Sequence, residues 1–256
     1  MKKVYFDSLS GYRLCGIWHI PTTKTDKAIV LAHGLTVDKD EGGIFTKLAI
    51  EFCAAGFAVF RFDFSGHGES EGKSIDLTIS AEIKDLEAAV NQALKQYPSL
   101  GLVSASFGGG PSIFYTAKNQ NKLKCLCLWN PVLNYEHTFI NPTLPWLHAK
   151  KAAMERELQT RGWTTLGSRK FVVGKALFEE MASLKPYEAL KKISIPTMII
   201  HGDKDSKIPY EDSREYAKLL ANGKLTTLAG AEHGFHEKGE TPQAIKETVN
   251  FFKNNL

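Results

Sequence analysis

The run Val103-Ser104-Ala105-Ser106-Phe107-Gly108-Gly109-Gly110 constrains this chain more than any other stretch. Ahead of it, Leu100-Gly101-Leu102-Val103 reads as a buried strand. Behind it, Pro111-Ser112-Ile113-Phe114-Tyr115 opens a helix, because proline is tolerated in a first helical turn whose N–H groups are unpaired anyway. A serine on so sharp a strand-to-helix turn sits in strained backbone with its hydroxyl lifted clear of the sheet. The residues two before and two after it must be small for the turn to close. That is the logic of G-x-S-x-G, met here as S-x-S-x-G with Ser104 in the first glycine's place and Ser106 at the centre. A phosphate-binding or merely tight-packing loop is the alternative, but neither G-x-x-x-x-G-K-S/T nor G-x-G-x-x-G spacing is present.

Around this turn, short apolar runs alternate with helical stripes. Lys3 to Asp7 and Tyr12 to Ile20, joined at Ser10-Gly11, read as an antiparallel hairpin. Lys27 to Ala32 is a compact apolar run, as expected of a strand covered on both faces. Phe45, Leu48, Ala49 and Phe52 recur at helical spacing before the stop at Gly56, and Phe57 to Phe62 is the next buried strand. Ile79, Ile83, Leu86, Val90 and Leu94 form a second stripe, and Lys124 to Trp129 a further strand. Such alternation predicts an α/β fold with a mostly parallel central sheet of about eight strands flanked by helices. Between Asn134 and Lys192 the rhythm breaks into helical periodicity, with prolines, aromatics and ten Lys or Arg against six Glu. This stretch, 134–192, is expected to be an inserted helical cap on a core of 1–133 and 193–256. The charge excess reads as a solvated face in preference to an anion-attracting one. A strand at Ile195 to Gly202, a helix over Glu211 to Leu220, a strand at Lys224 to Leu228, a loop from Ala229 to Glu237 and an amphipathic helix with Ile245, Val249 and Phe252 complete the pattern.

Several classes are excluded by what surrounds these elements. A net charge of +4 without a basic block gives no footing for nucleic acid. Met1 to Asp7 lacks the apolar run of a signal peptide, and no stretch approaches the length of a membrane span, so a cytoplasmic protein with no membrane partner is expected. Cys15, Cys53, Cys125 and Cys127 fit free thiols, the last two sharing one face of a strand. No cofactor or metal is expected, since no spacing typical of ligands occurs. A small molecule is the expected partner, and a homodimer is an open alternative to a monomer.

Serine needs a base to remove its proton, and the base needs an acid to orient it. Beyond Ser106 the chain offers both, in the order acid then base. His201-Gly202-Asp203-Lys204-Asp205 closes a strand, and Gly230-Ala231-Glu232-His233-Gly234-Phe235 lies in the loop before the final helix. With His33-Gly34 after the third strand and Arg61-Phe62-Asp63-Phe64-Ser65-Gly66-His67-Gly68-Glu69-Ser70, these pieces occur in the order of an α/β-hydrolase. Over nearly its full length the chain resembles capped serine esterases of that superfamily, nearest to cinnamoyl/feruloyl esterases and their serine aminopeptidase-like, lysophospholipase-type relatives. The resemblance implies Ser106 as nucleophile, Asp205 as acid, His233 as base, and the backbone N–H groups of Leu35 and Phe107 as oxyanion hole. It also implies hydrolysis of small or aromatic esters through an acyl-enzyme. Monoacylglycerol, lysophospholipid or thioester hydrolysis is the alternative, ahead of a peptidase or a non-catalytic binding module. Tyr135, Phe139, Trp146 and Trp163 are the cap aromatics expected to bind substrate.

Competitors exist for each role. Ser70 in Gly68-Glu69-Ser70-Glu71-Gly72 matches G-x-S-x-G by letter, but no helix starts directly behind it, and Glu69 and Glu71 would repel an oxyanion. Asp203 reads as a turn former. His236, three residues beyond His233, has no metal-site company, and His33 and His67 read as loop-shaping. His137 and His148 lie in the cap within possible reach of substrate, and His19 has no motif around it.

Overall fold

The computed structural model describes residues 1–167, 170–236 and 239–256. Residues 168 and 169 of the expected cap and Glu237 at the end of the expected 229–237 loop lie outside the described residues. An antiparallel pair, β1 (Lys2–Asp7) and β2 (Arg13–His19), opens the chain. Strand and helix then alternate through β3 (Lys27–Ala32), α1 (Ile44–Ala54), β4 (Ala58–Phe62), α2 (Ile79–Leu94), β5 (Ser99–Ala105), α3 (Gly109–Lys118) and β6 (Cys125–Trp129). Next come α4 (Pro145–His148), α5 (Lys151–Arg161), β7 (Trp163–Leu166), β8 (Phe171–Gly174), α6 (Lys175–Ser183) and α7 (Pro186–Leu190). The chain returns to the sheet with β9 (Thr197–Gly202), α8 (Tyr210–Tyr216), β10 (Gly223–Leu228) and α9 (Glu240–Asn255).

Eight strands form one sheet in the order β1-β2-β4-β3-β5-β6-β9-β10. Within this sheet, among the described residues, the pairings β4-β3-β5-β6-β9-β10 are parallel and those of β2 with β1 and β4 are antiparallel. This is the α/β-hydrolase fold. Alternate residues of one strand face opposite layers, so the apolar runs of β3 to β6 divide between two cores. Ala28, Val30, Phe60, Leu102 and Leu126 pack with α2 and α3, through Leu86, Val90 and Ile113. Ile29, Leu31, Val59, Val103 and Cys127 pack with α1 and α9, through Phe45, Phe52, Val249 and Phe252. All four cysteines are free; Cys15, Cys125 and Cys127 are buried and Cys53 is half-buried.

A third core lies beyond the strand ends, where Phe139, Leu147, Met154, Leu158, Val173 and Phe178 enclose Leu35 and Phe107. The segment between β6 and β9 is less helical than its sequence suggests. β7 and β8 pair antiparallel as a separate two-stranded sheet. Its short strands, Trp163-Thr164-Thr165-Leu166 and Phe171-Val172-Val173-Gly174, are rich in β-branched residues, which the helical stripes around them mask. Helix boundaries move as well. α3 starts at Gly109 instead of Pro111, and α8 ends at Tyr216 with a 3-10 turn over Ala217–Leu219.

On α2, Glu82 is buried with one carboxylate oxygen unpartnered. Burial, and then the Asp85 carboxylate nearby, push its carboxyl well above the ordinary value of 4.5. Glu82 therefore keeps its proton in the folded chain at pH values where the unfolded chain has lost it. The folded state binds more protons, so stability is full below pH 4.5 and falls as pH rises toward the folded value. Urea unfolding between pH 5 and 8 is expected to show Glu82→Gln with a flatter pH dependence than wild type, by up to about 1.4 kcal/mol per pH unit. Parallel pH dependences would contradict this account.

Candidate active site

β5 delivers Ser106 to the carboxyl edge of the sheet, where its backbone turns to φ +52°, in the left-handed region. Three contacts hold that turn. The Ser106 carbonyl accepts the Val132 N–H at 3.0 Å. Ser104, wholly buried, donates its hydroxyl to Ser112 Oγ at 2.5 Å on α3, which explains how serine serves in the first small position. Gly108 passes so close to the His33 carbonyl oxygen that a β-carbon there would overlap it.

Three side chains far apart in sequence meet at this turn. His233 Nε2 lies 3.1 Å from Ser106 Oγ, and His233 Nδ1 lies 2.7 Å from Asp205 Oδ2. The carboxylate only accepts, so Nδ1 carries the ring proton and Nε2 is free to take one from the serine. Asp205 Oδ1 accepts the N–H groups of Lys207 and Ile208, both at 2.8 Å, and Oδ2 also faces His201 Nε2 at 3.1 Å. Burial alone would raise the Asp205 pKa. The attraction of His233 and the hydrogen bonds from both histidines outweigh it and hold the carboxyl well below its ordinary range.

The loops carrying Asp205 and His233 are tied to one another. Lys204 N–H donates to the Ala231 carbonyl at 3.1 Å, Ser206 N–H to Glu232 Oε2 at 3.1 Å, and Gly230 N–H to Asp203 Oδ1 at 2.7 Å. Asp203 thus fastens the neighbouring loop, and it is Asp205 that meets His233 Nδ1. Phe235, two residues past His233, is buried against Trp129 with ring centroids 5.6 Å apart.

After β3, His33-Gly34-Leu35 runs beside Ser106. Phe64 N–H donates to His33 Nε2 at 3.0 Å, so Nδ1 bears the proton and donates to the Gly34 carbonyl at 2.7 Å. With that carbonyl pinned, the trans peptide points the Leu35 N–H the opposite way. Burial, then the charge of His67, lowers the His33 pKa well below normal, consistent with a neutral ring. The side chains of Leu35 and Phe107 are 6% and 1% exposed in the third core, which fixes the backbone that carries their amides.

Leu35, Ser106, Phe107 and His233 open onto a cavity of about 420 Å³, also lined by Phe139, Trp146, Leu166 and Ile208. Of the four expected cap aromatics, Phe139 and Trp146 reach it. Tyr135 does not: it is fully buried, with its phenol packed against Gly110, where any β-carbon would strike it. Trp163 is turned away on β7, with the Arg161 guanidinium 3.5 Å from its ring centroid. Trp146 donates its indole N–H to the Lys207 carbonyl at 2.7 Å, linking α4 to the loop that holds Asp205.

The competing residues are engaged elsewhere. Ser70 Oγ donates to the Asp63 carbonyl at 2.7 Å and accepts the Cys15 N–H at 2.9 Å. His137 Nδ1 meets Asp212 Oδ1 at 2.7 Å, His148 Nδ1 meets the Pro142 carbonyl at 2.9 Å, and His19 Nε2 accepts from Arg61 Nε at 2.9 Å. His67 Nε2 faces the Leu35 carbonyl at 2.6 Å, a loop-shaping contact. His236 lines the cavity. Among the described residues, Cys15, Asp63 and Glu69 place potential metal ligands within 4.8 Å of one another. Lys39 Nζ occupies that cluster, 2.7 Å from Asp63 Oδ2 and 2.9 Å from Glu69 Oε1.

Two site residues carry no sequence signal of their own. Glu41 reaches back to accept the Gly34 N–H at 2.6 Å at the cavity wall. Burial pushes its carboxyl up to about 7, against the pull of that N–H and of His233. His201 was visible only as a letter of the strand-end motif, although its spacing of four from Asp205 suits a turn that brings the two together.

Comparison with known proteins agrees with this architecture. The structure resembles that of Est1E from Butyrivibrio proteoclasticus with ferulic acid bound, at a TM-score of 0.85 and 21% identity, covering 98% of each chain. In sequence it is 26% identical to a monoacylglycerol lipase of Mycolicibacterium smegmatis, over 98% of this chain and 96% of that one. It is 23% identical to the mitochondrial palmitoyl-protein thioesterase ABHD10 of Mus musculus, over 77% of this chain and 66% of that one. Residues 23–180 match the family described as serine aminopeptidase, S33, and the chain belongs to that family of α/β hydrolases.

Proposed function

We propose that this protein is a serine carboxylesterase acting on small-molecule esters with small or aromatic acyl groups. The observation that carries the reading is the unbroken line Ser106 Oγ, His233, Asp205, with spacings of 3.1 and 2.7 Å at the wall of a cavity. His233 Nε2 takes the hydroxyl proton as Ser106 Oγ attacks the ester carbonyl, and Asp205 steadies the imidazolium. The N–H groups of Leu35 and Phe107 receive the oxyanion, each donor being worth about 3 kcal/mol of barrier. His233 returns the proton to the leaving alcohol, then activates water to release the acid from Ser106. Residues 134–192 serve as the lid, and Phe139 and Trp146 line the acyl side. The chemistry needs no cofactor, and free cysteines suit a reducing cytoplasm.

Aromatic lining by Phe107, Phe139 and Trp146 favours a planar acyl group. The ferulic acid in the Est1E structure is in line with this. A second reading, monoacylglycerol hydrolysis, draws on the near full-length match to the mycobacterial lipase. Among the described residues no helix is long and apolar enough to cross a membrane.

Three outcomes are expected. Ser106→Ala lowers kcat on p-nitrophenyl acetate by several orders of magnitude while Ser70→Ala keeps most of it, as initial rates will show. The reverse pattern would remove Ser106 from its role. In a panel of methyl ferulate, 1-monoacylglycerol and an acyl-CoA, the highest kcat/KM falls on methyl ferulate; a lead for monoacylglycerol selects the second reading. Gly108→Ala drives a β-carbon into the His33 carbonyl and displaces the loop of Leu35. Fluorophosphonate labelling of Ser106 in a folded Gly108→Ala protein should slow at least tenfold, and a wild-type rate would contradict the proposed oxyanion geometry.

A further inference from the structure

The Asp205 carboxylate is held from both ends. Two backbone amides fix Oδ1, whereas Oδ2 receives two imidazoles, His233 at 2.7 Å and His201 at 3.1 Å. His233 is the partner whose proton moves during reaction. Without a second donor, Oδ2 would be anchored only by the group it has to orient. We propose that His201 is a positioning residue, whose Nε2–H locks the plane of the Asp205 carboxylate against His233. This inference rests on the reading of Ser106, His233 and Asp205 as a triad.

Its surroundings make His201 a fixed donor. The ring is wholly buried at the end of β9, packed edge-on against Tyr210 with centroids 5.7 Å apart. Nδ1 lies 2.7 Å from Ser213 Oγ on α8, itself wholly buried. In a neutral ring Ser213 donates to Nδ1; in a charged ring Nδ1 donates to Ser213. Either way Nε2 keeps its proton, because the carboxylate can only accept.

A second donor on Oδ2 also draws charge from the oxygen that stabilises the His233 imidazolium. Removing it loosens the carboxylate, which slows the reaction. It also leaves more negative charge for His233, which moves the acidic limb of the rate profile to higher pH. Other titratable groups that face this line are Glu41 from the loop after β3, Glu232 beside His233, and Asp212 from α8 with His137 bound to it, while the Lys207 ammonium lies over the Trp146 ring, 5.2 Å from its centroid. They remain in place in a His201 variant, so the shift reports His201 itself.

The test compares His201→Phe, which keeps a ring without a donor, with His201→Gln, whose amide N–H can replace Nε2–H. His201→Phe should lower kcat about tenfold with little change in KM. It should raise the acidic limb by several tenths of a pH unit, with His201→Gln recovering much of both effects. An unshifted limb in His201→Phe, or a His201→Gln no better than His201→Phe, would overturn the proposal. Fluorophosphonate labelling of Ser106 against pH reads the same limb without any assumption about substrate. A wild-type serine that does not label sinks the triad reading and this inference with it; labelling with an unshifted limb sinks the inference alone. If His201→Phe does not fold, 15N-histidine NMR of the wild-type protein decides: a protonated Nε2 on His201 is expected, and a bare Nε2 refutes the proposal.

Discussion

A residue with a β-carbon at φ +52° costs on the order of 1–3 kcal/mol, and Ser106 is held there by everything packed around it. Val132 fastens its carbonyl, Ser104 and Ser112 close the turn beneath it, and Gly108 lets the His33 strand end pass at contact distance. Phe107 completes the hold. Its side chain is drawn into the third core, meeting Phe139 edge-on at 5.6 Å, and so turns the backbone on which Ser106 sits. The strain is stable because burial on both sides of the turn outweighs it. The same burial leaves the serine hydroxyl facing the cavity and His233.

The electrostatics around Asp205 follow from its position in the same way. A carboxylate taken out of water is unfavourable unless each oxygen is fully paired. Asp205 meets that demand with two amides from its own loop and two imidazoles from β9 and the loop after β10. The pairing that keeps the charge tolerable is also what aims it. Lys204, Ser206 and Asp203 cross-tie the two loops, and Phe235 anchors the His233 loop against Trp129, so the positions of Asp205 and His233 are set together.

Much of this was readable in the letters, and the reasons differ by element. β3, β4, β6 and β9 announce themselves because a strand covered on both faces reads as a near-continuous apolar run. The turn at Ser106 announces itself because only small residues let it close. The two-stranded sheet β7–β8 did not, since four-residue strands leave too short a period to outweigh the helical stripes on either side. Tyr135 and Trp163 look like substrate-binding aromatics in a list, but aromatic character says nothing of direction. Tyr135 instead packs against Gly110, and Trp163 lies under Arg161.

By itself the sequence determined which residue types could do chemistry and in what order they stand, since turn sterics and apolar periodicity are local and survive in one dimension. The convergence of Ser106, His233 and Asp205, the placing of Glu41 at the cavity wall, and the addition of His201 to Oδ2 were decided only in three dimensions. These contacts join segments up to 127 residues apart, and their distances depend on how the sheet's strand ends and the loops beyond them pack. No local pattern encodes such a sum; the folded core does.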